Sequence, residues 1–299
     1  MKQTFVVGCP RAGTTIVQAM LARHPAVLSL PGTAFFERMY GDLASRWGDA
    51  HANRQPPRLR QRLGLSRKHE RQLLRDLQRL APAAPSTLVR PSLSRQRLQQ
   101  RFIRLLDLLG EAAGCDMWLE QSPGHLLYLP EIEALVPNAR FVHVVRPGAD
   151  VIASLLDAGL LSERDDAFGG GTVRWSRRWN RAMKIHGQYL GHPRHYLLFL
   201  EDLIEQPQRE WKRLCQFLDL DPARSGDADC TQAIADLDQA PWKRLAPKGK
   251  ADALLGAKAQ RRLQTRLASY EALRAQCLHM LGTQEQRRAD RRLAALSGG

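Results

Sequence analysis

The sequence predicts an α/β fold: a parallel sheet flanked by helices, with an arginine-rich helical insertion. Three observations carry this reading. Short apolar runs at Thr4-Phe5-Val6-Val7, Phe141 to Val145 and His195 to Leu203 have the length and composition of strands buried on both faces. Helix-phased segments follow the first two, as parallel strands require. A basic, leucine-periodic stretch from about residue 38 to 111 separates the first strand from the others. The chain has 299 residues, 43% apolar and 25% charged, a globular composition that excludes disorder, collagen-like repeats and disulfide-stapled miniproteins. No window approaches the roughly 20 apolar residues of a membrane span. Met1-Lys2-Gln3 runs straight into a strand rather than a leader, so a soluble, unexported, cytoplasmic protein is expected. The cysteines, Cys9, Cys115, Cys215, Cys230 and Cys277, are odd in number and form no CxxC pair. Neither a disulfide framework nor a zinc site is expected from them, and Cys9 reads as a small apolar turn residue.

The first element is the strand Thr4 to Val7. The loop Gly8-Cys9-Pro10-Arg11-Ala12-Gly13-Thr14-Thr15 follows, and Ile16 to Leu21 continues in helical phase. Strand, glycine loop and helix together aim backbone N–H groups and a helix dipole at one spot, the requirement for holding a phosphate or sulfate. The fold is therefore expected to be a P-loop-type parallel sheet. Gly8 and Gly13 have Walker A spacing, but Thr14-Thr15 stands where a lysine and a hydroxyl belong. The missing lysine argues against an ordinary nucleoside triphosphatase, and Arg11 can supply the lost positive charge.

The insertion comes next. Between Arg54 and Arg104 fourteen basic residues face two acidic ones, Glu70 and Asp76, which accounts for most of the net charge of +15. Leu59, Leu63, Leu73, Leu74, Leu77 and Leu80 recur at helical spacing, so short amphipathic helices with arginine-coated outer faces are expected. Such a face suits solvent, an acidic acceptor or an acidic carrier. Aromatic residues are absent between Trp47 and Phe102, which speaks against nucleic-acid binding.

The later elements follow in order. The apolar run ending at Val145 leads to Arg146-Pro147 and a helix from Gly148, placing Arg146 and Ser154 at the carboxyl edge of the sheet, where open α/β sheets bind ligands. Asp150, in the first turn, serves the helix dipole. His195 to Leu203 reads as a strand leading to Glu201-Asp202-Leu203, and Trp211 to Leu218 as an amphipathic helix. Pro241-Trp242-Lys243-Arg244 through Lys250 is a basic loop, and Leu263, Leu267, Tyr270 and Leu273 mark a final long helix. Residues from about 284 to 299 read as a frayed basic tail.

These residues resemble the P-loop sulfotransferases that use 3′-phosphoadenosine-5′-phosphosulfate (PAPS), the bacterial branch above all. That pattern of G-x-P-R-S-G-T-T, then His-Pro, then Phe-Phe is echoed by Gly8 to Thr15, His24-Pro25 and Phe35-Phe36. Glu120-Gln121-Ser122-Pro123-Gly124-His125 resembles E-K-[ST]-P-x-H, Pro137 to Pro147 resembles the second nucleotide-binding strand, and Leu200 replaces the tyrosine of R-Y-E-D-L. The resemblance implies one sulfotransferase-like domain over residues 1–299 whose helical insertion is the acceptor-side cap. It implies sulfuryl transfer from PAPS to a hydroxyl or an amine or amide nitrogen of a small-molecule, glycan or carrier-bound acceptor, with adenosine 3′,5′-bisphosphate (PAP) as product and no metal.

Pro10, Arg11, Ala12, Gly13, Thr14 and Thr15 would cradle the sulfate and 5′-phosphate, Arg146 and Ser154 the 3′-phosphate, and Trp242 and Lys243 would close over the nucleotide. Two positions depart from the family. Its acidic residue before Phe-Phe falls on Gly32, and the lysine of E-K-[ST]-P on Gln121. The base that takes the acceptor's proton is then sought in His125, followed by Glu37 and Glu120, with Arg11 beside the transferred group. A non-catalytic binder of adenosine bisphosphates and a P-loop phosphotransferase are the alternatives.

Overall fold

The computed structural model describes residues 1–30, 32–49, 68–92, 94–161, 171–224 and 249–297. Five strands, β1 (Lys2–Gly8), β2 (Val27–Leu30), β3 (Met117–Gln121), β4 (Arg140–Val145) and β5 (His195–Phe199), form one sheet of order β2-β3-β1-β4-β5. All four pairings are parallel. The α/β fold expected from the sequence is therefore present. β1 is central: Val6 pairs with Gln121 on one side and Gly8 with Val144 on the other. The carboxyl ends of all five strands lie on one edge.

Alternation along the strands builds two cores. Phe5, Val7, Phe141 and Val145 enter one cluster, whereas Val6, Val142 and Val144 enter the other. On the second face lie α1 (Thr14–Leu21), α9 (Leu200–Glu205) and α10 (Pro207–Leu218), through Val17, Met20, Leu203, Leu214 and Leu218. The first face is covered by α5 (Arg95–Ala112), α6 (Leu129–Leu135), α7 (Gly148–Leu161) and α8 (Gly171–Gln188). The short α2 (Phe35–Tyr40) and α3 (Leu43–Arg46) link β2 to the insertion, whose first described helix is α4 (Lys68–Leu80).

The insertion helices among the described residues are amphipathic as expected, except that Leu80 at the end of α4 is exposed; Leu59 and Leu63 lie outside the described residues. Leu74 and Leu77 of α4, and Leu98, Phe102, Leu105, Leu106 and Leu109 of α5, are buried, whereas Arg97 and Arg104 are exposed. Ser94 caps α5 by accepting from the Arg97 amide. Phe102 stacks on Phe35 at 4.0 Å, and Trp118 Nε1 donates to Asp107 Oδ1 at 2.9 Å, so α5 shares the core of the sheet.

Two expectations are corrected. The strand expected to run to Leu203 ends at Phe199, because Glu201 and Asp202 favour the first turn of α9. The single final helix is two, α12 (Ala257–Gln264) and α13 (Tyr270–Ser297), preceded by α11 (Lys250–Leu254). Asn180 clamps the break, donating to the Arg266 carbonyl and accepting from the Ala268 amide, and Ser269 Oγ accepts from the Ala272 amide to start α13. α13 also continues as helix as far as Ser297, through the basic tail expected to fray. Among the described residues no helix is long and apolar enough to cross a membrane.

Candidate functional site

The loop after β1 turns tightly at the sheet edge. A Cβ on Gly8 would lie 2.6 Å from the Val144 carbonyl, so the crossing of β1 and β4 requires glycine there. Arg11 and Gly13 both have positive φ, 70° and 102°. Arg11 is thus held in a region that L side chains rarely adopt, a strain found where backbone is shaped around a ligand. α1 starts at Thr14, and first-turn amides of a helix have no partner within it, so those of Thr14 and Thr15 add to the positive end of the dipole.

Three expected donor-site residues meet at this corner. Arg11 Nε donates to Ser154 Oγ at 3.1 Å, and Arg146 Nη1 donates to the Arg11 carbonyl at 3.3 Å. Ser154 is fully buried and Arg146 nearly so. Burial lowers the pKa of both guanidinium groups; Asp157 opposes this at Arg11 and Asp150 at Arg146, while Arg11 itself adds to the lowering at Arg146. Two cations brought together in a desolvated corner are what holding an anion requires.

α11 closes this corner from the C-terminal side. Lys250 Nζ pairs with Asp157 Oδ2 at 2.9 Å, and the Ala251 amide donates to Asp150 Oδ1 at 2.8 Å. Asp150 therefore joins two helices besides serving its own. Trp242 and Lys243 lie outside the described residues.

The other wall is built by the end of β3. Gln121 Nε2 donates to Thr14 Oγ1 at 2.8 Å. Glu120 is fully buried; its Oε1 accepts from the Thr33 amide, Thr33 Oγ1 and Ser122 Oγ, and its Oε2 lies 3.0 Å from His125 Nδ1. Burial would push this carboxyl up, but His125 and the Ser122 and Thr33 donors outweigh it, leaving Glu120 below the ordinary carboxylate range. His125 Nε2 accepts from the Phe36 amide at 3.3 Å, so the ring proton sits on Nδ1, toward Glu120. With no exposed surface, Nε2 engaged by the Phe36 amide and Nδ1 turned toward the buried Glu120, His125 is poorly placed to take a substrate's proton.

Glu37 differs from both. It is only partly buried, in the first turn of α2, and its carboxyl is seated on Gly124, whose amide donates to it. A Cβ at Gly124 would come within 2.3 Å of Glu37 Oε1, so only glycine admits this seat. Burial raises the Glu37 pKa above the ordinary range, against His125 and with Glu120. Cys9 is a buried thiol pushed up to about 12, as an apolar turn residue should be.

Sequence reasoning missed the partners of these residues. Thr33, Gly124 and Asp157 carry no motif of their own, and only three-dimensional proximity marks them.

The signature of the sulfotransferase family matches residues 3–224, a span that takes in the loop, the insertion and all five strands. The chain belongs to the sulfotransferase family. It is similar to a protein-tyrosine sulfotransferase of Drosophila melanogaster, 25% identical over 223 residues; the match covers 74% of this chain but only 38% of that protein. In structure it resembles the sulfotransferase domain of the Synechococcus PCC 7002 olefin synthase, with TM-score 0.52 and 20% identity over 89% of this chain and 94% of that one. It also resembles the sulfotransferase domain from the curacin biosynthetic pathway, with TM-score 0.52 and 18% identity over 87% and 95% of the two chains. At such identities the likeness is one of fold. Family membership agrees with the resemblance seen in the motifs around Gly8 to Thr15 and Arg146.

Proposed function

We propose that the chain is a sulfotransferase that uses PAPS and transfers its sulfuryl group to a hydroxyl or amine nitrogen of an acceptor, leaving PAP. The observation that carries this reading is the convergence of Arg11, Ser154 and Arg146 on the start of α1. PAPS supplies an activated sulfuryl group on a 5′-phosphate, with a second anionic group at the 3′ position. The residues fit it: two desolvated guanidinium groups share one corner, and the adjoining helix start offers amides. The loop from Pro10 to Thr15 would hold the sulfate and 5′-phosphate, and Arg146 with Ser154 the 3′-phosphate.

Positioning and positive charge carry most of the catalysis in a loose, in-line transfer. Arg11 and the Thr14 and Thr15 hydroxyls would offset the charge on the equatorial oxygens. Glu37 would take the acceptor's proton, because among the three expected candidates it alone combines partial exposure with a raised carboxyl pKa. Glu120 and His125 would act as positioning residues, fixing Thr33 and Phe36 on either side of the turn that carries Glu37. The insertion would form the acceptor side of a single domain, since α5 shares its core with β1 and β3.

Calorimetric titration with PAP, alongside ATP with Mg²⁺, tests the donor site. Micromolar PAP binding that is lost in Arg11→Ala and in Arg146→Ala, with no response to ATP, is expected. ATP binding in place of PAP would overturn the reading in favour of a phosphotransferase. Gly32 and Gln121, standing where the family has an acid and a lysine, favour a second reading as a non-catalytic PAP binder. Transfer of label from PAPS to an acceptor separates the two.

A further inference from the structure

At the amino edge of the sheet, the end away from the loop, four histidines and a glutamate form a connected line. His186 Nδ1 on α8 lies 3.0 Å from His143 Nδ1 on β4, and His143 Nε2 lies 2.8 Å from His195 Nδ1 at the start of β5. His195 Nε2 is 3.2 Å from Glu133 Oε1 on α6. His192, in the turn before β5, packs edge-on against the His195 ring with centroids 4.7 Å apart. One ligand atom each from Glu133, His192 and His195 all lie within 4.8 Å of one another.

We propose that Glu133, His192 and His195 form a binding site for a divalent metal ion of the zinc class, separate from the donor pocket. Two imidazoles and a carboxylate with a fourth position left to water are a familiar set for such ions. Bonds of about 2.0–2.1 Å in a tetrahedron set ligand atoms about 3.3 Å apart. The His195 and Glu133 atoms already have that spacing, and the His192 ring has to swing in by no more than about 1.5 Å.

The outer partners are also in place. A metal on His195 Nε2 requires the ring proton on Nδ1, where His143 Nε2 receives it, the kind of second contact that orients metal-bound imidazoles. Glu133 Oε2 accepts from the Tyr189 hydroxyl at 3.1 Å, which fixes the carboxylate. Arg194 pairs with Glu133 Oε1 at 2.8 Å and must yield that oxygen to the ion, but it retains the Pro137 carbonyl at 2.6 Å. The ion would clip α6 to the start of β5, a structural role in this fold.

Tag-free, chelator-treated full-length protein titrated with Co²⁺ tests the site, with visible d–d absorption reporting coordination. One equivalent with the intense bands of a tetrahedral centre, displaced by Zn²⁺, is expected. The melting temperature should rise by about 5 °C at a hundredfold excess over Kd. His192→Ala, a change to a half-buried turn residue, should abolish the bands while leaving the metal-free melting temperature near wild type. Glu133→Gln should do the same to the bands. Should Glu133→Gln fail to fold, His192→Ala still decides. Equal Co²⁺ spectra in wild type and His192→Ala, or only weak octahedral bands in the wild type, would overturn the proposal.

Discussion

Gln121 Nε2 donates to Thr14 Oγ1 across 2.8 Å, joining the end of β3 to the first turn of α1. The glutamine thus acts on the loop through a neutral hydrogen bond, where the family motif has a cation. Both side chains are buried, so removing the amide leaves the hydroxyl with neither water nor its partner. Gln121→Ala should destabilise the fold by about 1–2 kcal/mol and weaken PAP binding about tenfold. Urea unfolding and calorimetry on the same sample check both.

Gly32 faces the same strand from the other side. A Cβ there would sit 2.4 Å from the Gln121 carbonyl oxygen, a backbone atom that cannot swing aside. Gly32→Ala should therefore cost about 1–3 kcal/mol, a fall in melting temperature of several degrees. A variant as stable as wild type would show that the strand ends can part. The acidic residue that relatives carry at this point cannot be regained by one substitution without moving β3.

Activity should be lost on the acid side. As the proposed base, Glu37 must be ionised to accept a proton, and burial, which outweighs the Gly124 amide, places its pKa above the ordinary glutamate value. In kcat/KM profiles the acid limb should have its midpoint above about 4.5. Glu37→Gln should cut kcat by about 100-fold or more while leaving PAP affinity within about twofold. Loss of PAP affinity along with kcat would show that Glu37 shapes the donor pocket instead.

Stability should also fall in acid. Burial lowers the pKa of His186 to about 3. The unfolded chain takes up a proton near pH 6.5 and the folded one does not until about pH 3, so the unfolded state binds more protons throughout that window. The contribution is complete above pH 6.5 and is lost as pH falls, with a slope approaching about 1.4 kcal/mol per unit for one proton. His186→Gln should flatten the dependence of urea-unfolding free energy between pH 6.5 and 4.5. Parallel curves for the two proteins would assign the slope to other groups.

The strands and the loop were legible because their signals are local. Thr4 to Val7 and Phe141 to Val145 are apolar runs of strand length, and Gly8 with Gly13 marks the turn between strand and helix. β2 at Val27–Leu30 is four residues long with half-buried Leu28 and Ser29, too short and mixed to stand out. The break between α12 and α13 depends on Asn180, more than eighty residues away, which no window along the chain can register. In the site, Arg11, Arg146 and Ser154 were legible as residue types at motif positions. The surroundings of His125 were not: Glu120, 3.0 Å from Nδ1, and the Phe36 amide, which donates to Nε2, come from different segments and meet the ring only after folding. Glu37 owes its raised pKa to burial, which outweighs the Gly124 amide that seats its carboxyl, and neither leaves a trace in sequence spacing.

The central place of β1 has a cost during synthesis. Of the five strands of this sheet, the first to be translated is the one flanked on both sides, and its partners β3 and β4 follow only with residues 117 and 140 onward. At about 5–20 residues per second the segment from Gly8 to Val145 takes about 7 to 27 s to emerge. For that time the nascent chain carries an apolar strand with two bare edges, and Arg11 has no neighbours to hold its left-handed backbone conformation. Nascent chains halted before Val145 should depend on chaperones that shield exposed strands, and full-length refolding should be slowest at the step that threads β1 between its two late neighbours.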